Sequence, residues 1–200
     1  MKNLIIVCSL AIASFAIMAC NNVSKSSTTN TDTIGGKNPS SMATSPTAKG
    51  GIDTKTTASV KEMVENYLQL KNALTKDNSS DAATAGKALS TGFGKLDQSV
   101  LSSTQKKSFT DIADDAKEMA GHIGMSGGKL PHQREHFDML SKDMYDLVKL
   151  FGAAQPLFVD HCPMYNNKKG AIWLSETKEI KNPYMGSGMS TCGTIQEVLK

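Results

Sequence analysis

The chain has 200 residues, of which 39% are hydrophobic and 20% are charged, and its formal net charge is +3. Its lysines and arginines form no basic stripe, which argues against a nucleic-acid-binding protein. It also lacks a glycine-rich phosphate loop, a nucleophile elbow and a Cys-x-x-Cys-His haem site, which argues against the enzyme classes that depend on these motifs.

The first twenty residues have the pattern of a lipoprotein signal peptide. Lys2 supplies a positive start, and residues 4–18 form an apolar run that is too short to span a bilayer comfortably. Residues 17–20 (Ile-Met-Ala-Cys) resemble the lipobox that lipoprotein signal peptidase cuts. We therefore expect removal of residues 1–19 and attachment of acyl chains (palmitate) to Cys20, on the periplasm-facing side of a bacterial cell-envelope membrane. The alternative is an ordinary secretory signal that is cut nearby and leaves a soluble protein.

Residues 20–57 are predicted to be the lipidated cysteine and a disordered tether. Ser, Thr, Asn, Gly and Lys dominate this segment, and its few large apolar side chains cannot offset the entropy of ordering the chain. A flexible chain of this length has an end-to-end distance of roughly 30–35 Å. The tether would therefore let a folded domain, residues 58–200, stand off the lipid surface.

Four helices are predicted between residue 58 and Gly152, because apolar side chains recur at intervals of three and four. Ser79 to Asp81 give a start signal for the second helix, and Pro131 suits the first turn of the fourth. Short connections favour antiparallel neighbours, so we expect a mainly α fold built on an up-down four-helix bundle. The predicted stripes are Val60, Met63, Val64, Tyr67, Leu68 and Leu74; Ala82, Ala85, Leu89, Phe93 and Leu96; Phe109, Ile112, Ala116, Met119, Ala120 and Ile123; and Phe137, Leu140, Met144, Leu147, Val148 and Phe151.

After Gly152 the pattern is no longer that of a long helix. Two short apolar runs, residues 157–159 and 171–174, flank a turn rich in Asn and Gly, which predicts a small β-hairpin. Residues 182–189 predict a tight glycine-rich loop. Thr194 and Glu197 form a capping box, which predicts a last helical turn up to Leu199.

Cys162 and Cys192 are the two cysteines of the predicted folded domain. In an oxidising compartment such a pair forms a disulfide by default. However, Met164 follows Cys162 by two residues, and Met185 and Met189 precede Cys192 in the glycine-rich loop. Thiolate and thioether are the soft ligands that select Cu(I), and Ag(I) by the same logic, whereas a structural zinc site would need four Cys or His ligands. The residues therefore predict either a soft-metal site or a disulfide.

The histidines form a second group with candidate metal-binding chemistry. His132, His136 and Met139 share one flank of the fourth predicted helix, and His122 and Met125 end the third. One interpretation is a solvated flank with incidental histidines. The other is that the C-terminal segment folds back along this flank and gains His136, the histidine nearest the core edge, as a further metal ligand.

Cys162 has His161 beside it, so a thiol nucleophile with a histidine base must also be considered. Adjacent residues on a strand point to opposite faces, so His161 is badly placed to act as that base. We therefore expect no enzymatic activity.

Five motifs together are similar to those of a known family. They are residues 132–141 (His-Gln-Arg-Glu-His-Phe-Asp-Met-Leu-Ser), 162–164 (Cys-Pro-Met), 173–175 (Trp-Leu-Ser), 182–186 (Asn-Pro-Tyr-Met-Gly) and 192–193 (Cys-Gly). With them, roughly residues 60–199 resemble a family of domains of unknown function that occur alone in lipoproteins and fused to periplasmic adaptor subunits of copper/silver efflux pumps. Cys-Pro-Met also resembles a heavy-metal-binding motif of copper-transport proteins, although Tyr165 stands where that motif usually has His.

Two hypotheses follow from the residues and the resemblance. The first is a lipid-anchored periplasmic protein that binds Cu(I) or Ag(I), without an organic cofactor, as an accessory to copper/silver efflux. Its candidate metal ligands are Cys162, Met164, Met185, Met189, Cys192 and His136. The second is a structural or interaction module, stapled by a Cys162–Cys192 disulfide, that docks on an efflux adaptor or another envelope partner.

Overall fold

The structure is a computed structural model that describes residues 52–200. The predicted signal peptide, the lipidation site Cys20 and the tether as far as residue 51 lie outside the described residues. The first helix begins at Thr54, earlier than the predicted domain boundary, because Asp53 caps it by accepting a hydrogen bond from the Lys55 N–H at 3.0 Å. Within residues 52–200, no helix is both long and apolar enough to cross a membrane.

Four helices form the first part of the described chain and confirm the four predicted stripes. They are α1 (Thr54–Thr75), α2 (Ser79–Phe93), α3 (Ser103–Met125) and α4 (Leu130–Phe151), with a 3₁₀ turn (Gln98–Val100) between α2 and α3. The stripe residues form the core, and those fully buried include Tyr67, Leu89, Phe109 and Phe137.

Close helix contacts explain why α2 forms despite its glycines. A Cβ atom on Gly86 would lie 2.9 Å from the carbonyl oxygen of Ala120, and one on Gly124 would lie 2.6 Å from the side chain of Lys87. Glycine at both positions lets α2 and α3 approach more closely than larger residues would allow. Helix α2 also packs against α1, and α4 packs against α3 and α1. The up-down arrangement of the bundle stays a prediction.

A three-stranded antiparallel sheet follows the helices. Its strands are β1 (Leu157–Cys162), β2 (Ala171–Ser175) and β3 (Thr194–Leu199), in the order β2-β1-β3. The pairing of β1 with β2 confirms the predicted hairpin. A single turn, Tyr165–Lys168, lies between these strands and includes the left-handed residues Asn166 and Asn167, and the predicted glycine-rich loop contains a 3₁₀ turn, Gly186–Met189.

The predicted last helical turn is wrong, because residues 194–199 form β3 instead. A helix of six residues has too few hydrogen bonds to offset its nucleation cost, whereas the pairing with β1 gives the segment backbone hydrogen bonds on one side. The side chain of Glu197 does not form a capping box. It accepts hydrogen bonds from the Tyr145 hydroxyl and the Lys149 ammonium group, both at 2.9 Å.

Buried hydroxyl groups join the sheet to the helices. The Tyr67 hydroxyl of α1 accepts a hydrogen bond from the Leu174 N–H of β2 at 3.1 Å and is bonded to Ser141 Oγ of α4 at 2.9 Å. Tyr184, in the glycine-rich loop, donates its hydroxyl proton to the Ile172 carbonyl at 2.5 Å. The sheet and the loop after it are therefore fixed against α1 and α4 by hydrogen bonds of buried hydroxyl groups.

We predict that Tyr67→Phe destabilises the fold by about 1–3 kcal/mol, because it leaves the Leu174 N–H buried without an acceptor. Urea denaturation measures this change in the free energy of unfolding. The matched control is Tyr145→Phe, which removes a hydroxyl bonded to the half-exposed Glu197 and should cost less than about 1 kcal/mol. Equal losses in the two variants would contradict the assigned role of Tyr67.

Candidate functional site

The sheet brings the two cysteines of the described chain together. Cys162 is the last residue of β1, and Cys192 lies just before β3, which pairs with β1. Their sulfur atoms are 3.0 Å apart and both cysteines are free, whereas a disulfide bond is about 2.05 Å long. Cys162 is fully buried and Cys192 is partly exposed. The pair is therefore open to solvent on the Cys192 side.

Hydrogen-bond donors surround the Cys162 sulfur. Burial alone would raise its pKa, but hydrogen bonds from the Cys192 thiol, the Met164 N–H, the Asn182 side chain and the Tyr165 N–H together lower the pKa of Cys162 below its ordinary value. The hydrogen bond with Cys162, followed by burial, raises the pKa of Cys192. The buried sulfur is thus the one at which a negative charge is favoured.

Asn182 organises the loop that leads to Cys192. Its side-chain amide donates to the Cys192 carbonyl at 2.6 Å, and its side-chain oxygen accepts from the N–H groups of Tyr184 at 2.8 Å and Met185 at 3.0 Å. The side chain is fully buried. The Asn-Pro-Tyr motif is therefore a structural device that holds the loop beside the thiol pair.

A partly buried ion pair holds the other side of this loop. Arg134 of α4 donates to the Pro183 carbonyl at 2.8 Å and forms an ion pair with Asp77. Asp77 in turn accepts hydrogen bonds from the N–H and hydroxyl groups of Ser187. These hydrogen bonds from Ser187, followed by that from Arg134, lower the pKa of Asp77 to about 2. Sequence reasoning did not identify this pair, because its members are far apart in the chain.

Gly193 allows Cys192 to approach the sheet. Its φ of +152° lies in a region that favours glycine, and a Cβ atom there would lie 2.8 Å from the Trp173 ring and 3.1 Å from the His161 carbonyl oxygen. The Cys-Gly motif therefore has a steric cause that does not depend on a bound ligand.

The three predicted methionine ligands lie along the same loops. The Met164 N–H is a donor to the Cys162 sulfur, and the Met189 carbonyl accepts from the backbone N–H of Cys192 at 3.2 Å. Their side chains are 48% and 42% exposed, and Met185 is half-buried. An unbranched thioether at such a position is free to change rotamer.

His136 belongs to a different group of side chains from the cysteines. Its Nε2 atom lies 3.2 Å from Nε2 of His132, its Nδ1 atom lies 3.3 Å from the Met119 sulfur, and its ring stacks on His122 with centroids 4.6 Å apart. Burial, followed by the charges of His132 and His122, lowers the pKa of His136. These contacts are with α3 and α4, so we do not place His136 with the thiol pair as the sequence had suggested.

No group of three or more His, Cys, Asp or Glu side chains in residues 52–200 is arranged to hold a metal ion. A metal at the thiol pair would therefore depend on the two sulfurs of the cysteines and on thioether ligands. Two-coordinate and three-coordinate sulfur sites suit Cu(I) and Ag(I), and tetrahedral zinc with four Cys or His ligands does not fit these residues.

An unpaired carboxyl group lies beneath the thiol pair. Asp160 precedes Cys162 by two residues, so the two side chains leave β1 on the same face. It is 0% exposed, and neither of its carboxyl oxygens has a hydrogen-bond partner among the described residues. Burial raises the pKa of Asp160 to about 7, and the nearby charge of Lys71 opposes this shift. The Trp173 N–H also lowers the pKa, although this N–H does not reach good hydrogen-bond geometry with Asp160.

Two comparisons with known proteins found nothing, and one found a family. Residues 63–156 match the family model described as "Protein of unknown function (DUF3347)". This match supports the predicted relation to a family of domains of unknown function; it covers the helical part and ends before β1, so it does not include the thiol pair. No curated protein and no solved structure matches the chain.

We predict that Asp160→Asn stabilises the protein at pH 8 by about 1–3 kcal/mol and much less at pH 4. The pKa of this group rises from 3.8 in the unfolded chain to about 7 in the fold, so the folded state holds the proton more tightly. The loss of folding stability caused by ionising Asp160 is absent below pH 4, grows between pH 4 and pH 7, and is complete above pH 7.

The measurement is the difference in unfolding free energy between the variant and the parent from pH 4 to pH 8. The exposed Asp114→Asn removes the same charge elsewhere and should change stability by less than about 0.5 kcal/mol. A stabilisation by Asp160→Asn that is independent of pH would contradict the assigned pKa.

Proposed function

We propose that this chain binds a monovalent soft metal ion, Cu(I) or Ag(I), through Cys162 and Cys192. The observation that carries the proposal is that two free thiols lie with their sulfur atoms 3.0 Å apart. Thiolate is the ligand type that these ions select over most others. The proposed function is binding and transfer of the ion, with no organic cofactor and no catalysis.

The surroundings of Cys162 favour the ionised form that a metal ligand requires. Backbone N–H groups and the Asn182 side chain donate to its sulfur and lower its pKa. The two sulfur atoms share a hydrogen bond in which either thiol can be the donor, and the ion would replace the shared proton. Binding one ion therefore releases the protons of both thiols to the solvent.

Thioethers would complete the coordination. Met164, Met185 and Met189 belong to loops whose backbones contact the thiol pair or Asn182. Neutral sulfur ligands add affinity for Cu(I) without adding charge. An ion held by two thiolates and an exposed thioether is accessible to a partner with similar ligands, which is what transfer requires.

We further propose that the protein works at the periplasmic side of the cell envelope as a lipid-anchored accessory to copper/silver efflux. The lipobox-like residues 17–20 and the resemblance to domains fused to efflux adaptor subunits support this location. An efflux adaptor is the expected partner. The anchor would keep the domain within reach of a membrane-bound complex. We propose no nucleic-acid partner for this protein.

The second candidate is a structural module in which Cys162 and Cys192 form a disulfide and the helices dock on an envelope partner. The same separation favours it, because the sulfurs need to approach by only about 1 Å to reach the bond length of a disulfide. The bond would join residues 30 positions apart, close the segment between β1 and β3 and stabilise it chiefly through the unfolded state.

Thiol–disulfide exchange suits this site less well than either candidate. An exchange catalyst needs an accessible thiol with a lowered pKa. Here the lowered pKa belongs to the fully buried Cys162, and the partly exposed Cys192 has a raised pKa. We therefore do not propose thiol–disulfide exchange as the function of this pair.

We predict that the reduced full chain binds one Cu(I) ion in an anaerobic competition titration against a chromophoric Cu(I) chelator. The double variant Cys162→Ser/Cys192→Ser should lose at least about 100-fold in affinity, because both thiolate ligands are removed. Met189→Leu should weaken binding by about 10-fold, because a leucine of similar shape has no sulfur.

The matched control for the thioether is Met139→Leu, since Met139 and Met189 are almost equally exposed, 43% and 42%. This control should bind Cu(I) as tightly as the parent chain. If the double serine variant binds as tightly as the parent, the thiol pair is not the site and the proposal fails.

A further inference from the structure

Three of the four histidines of the described chain gather on the flank of α3 and α4. His132 and His136 lie one turn apart on α4, with rings nearly perpendicular at 85°, and His122 of α3 stacks on His136. His132 is 47% exposed and His122 is 42% exposed. The group is therefore accessible from solvent, and the proposed thiol site does not use it.

The two Nε2 atoms of His132 and His136 are 3.2 Å apart. Two imidazole nitrogens that bind one ion at about 2.05 Å, with a tetrahedral angle between them, lie about 3.3 Å apart. The observed distance therefore fits two ligands of a single ion. A pair of histidines at positions i and i+4 of a helix is the usual way to place two imidazoles on one ion.

The other nitrogen of each ring has an acceptor of its own. Nδ1 of His132 lies 3.4 Å from the Glu135 carboxylate, and Nδ1 of His136 lies 3.3 Å from the Met119 sulfur. With an ion bound, protons on both Nδ1 atoms would satisfy these contacts, and both Nε2 lone pairs would be available to the ion in place of the hydrogen bond between them. Histidines that bind metals are oriented in the same way by an acceptor at the second nitrogen.

His122 does not share this geometry. Its ring is parallel to that of His136 within 7°, with centroids 4.6 Å apart, so the lone pairs of the two rings lie in separate parallel planes. One ion cannot lie in both planes at a normal bond length. The cluster therefore supplies two ligands, consistent with no group of three such ligands in residues 52–200.

We propose that His132 and His136 form a second metal site, which binds a divalent transition-metal ion that prefers imidazole, of the Zn²⁺, Ni²⁺ and Cu²⁺ class. Imidazole suits these borderline ions, whereas the thiol pair suits monovalent soft ions. Water fills the remaining coordination positions on the exposed side. Met119 and Glu135 act as positioning residues that hold the rings and bind no ion themselves.

The test is a calorimetric titration of the full chain with Zn²⁺, in a parent that carries Cys162→Ser and Cys192→Ser. We expect one zinc ion per chain, and a loss of affinity of at least about 100-fold in His132→Gln or His136→Gln. Met119→Leu and Glu135→Gln should each weaken binding by about 10-fold, the usual effect of losing an orienting partner. Circular dichroism checks that each variant keeps its helices.

The matched control is His122→Gln, which removes the stacked ring and should change zinc affinity by less than about threefold. If His132→Gln and His136→Gln both bind zinc as tightly as the parent, the proposal is overturned. The contact between the two rings is then only an imidazole–imidazole hydrogen bond. A loss in His122→Gln equal to that in His136→Gln would overturn the ligand assignment. Because both cysteines are replaced, failure here is independent of failure in the Cu(I) titration.

Discussion

The docking of the C-terminal sheet on α1 and α4 is the constraint on which the rest of the structure depends. In this contact the buried Tyr67 hydroxyl bonds both the Leu174 N–H and Ser141 Oγ, and the buried Tyr184 hydroxyl donates to the Ile172 carbonyl. A buried polar group without a partner costs about 1–3 kcal/mol, so these few bonds permit one position of the sheet. That position fixes Cys162 at the end of β1 and Cys192 in the loop just before β3.

The thiol pair takes its chemistry from this frame. A sulfur atom in an apolar pocket has a raised pKa, yet Asn182 and the backbone after Cys162 aim donors at it and reverse the shift. The Arg134–Asp77 ion pair holds the same loop from the bundle side. The four helices therefore support the loop, and the family match, which covers most of the helical part and ends before β1, says little about the thiol pair.

The sequence predicts local features well and non-local ones poorly. The helical stripes and the β1–β2 hairpin depend on neighbours a few residues away, and the structure has both. Residues 194–199 have the sequence pattern of a capping box but pair with a strand more than 30 positions earlier, which no local pattern reveals. Likewise, the composition of the loops indicated a thiol–thioether site, but the donors to Cys162 and the separate position of His136 required the folded chain.

The described chain thus offers two kinds of ligand on separate elements: thiols on the sheet and imidazoles on the helices. The central claim is that Cys162 and Cys192 work as free thiols that hold an ion. Mass spectrometry after alkylation, with and without a Cu(I) chelator, tests it most directly on protein isolated from its native compartment. We predict that both cysteines are reduced and become alkylated only after the chelator removes the ion. A quantitative Cys162–Cys192 disulfide that resists mild reductant would contradict the account.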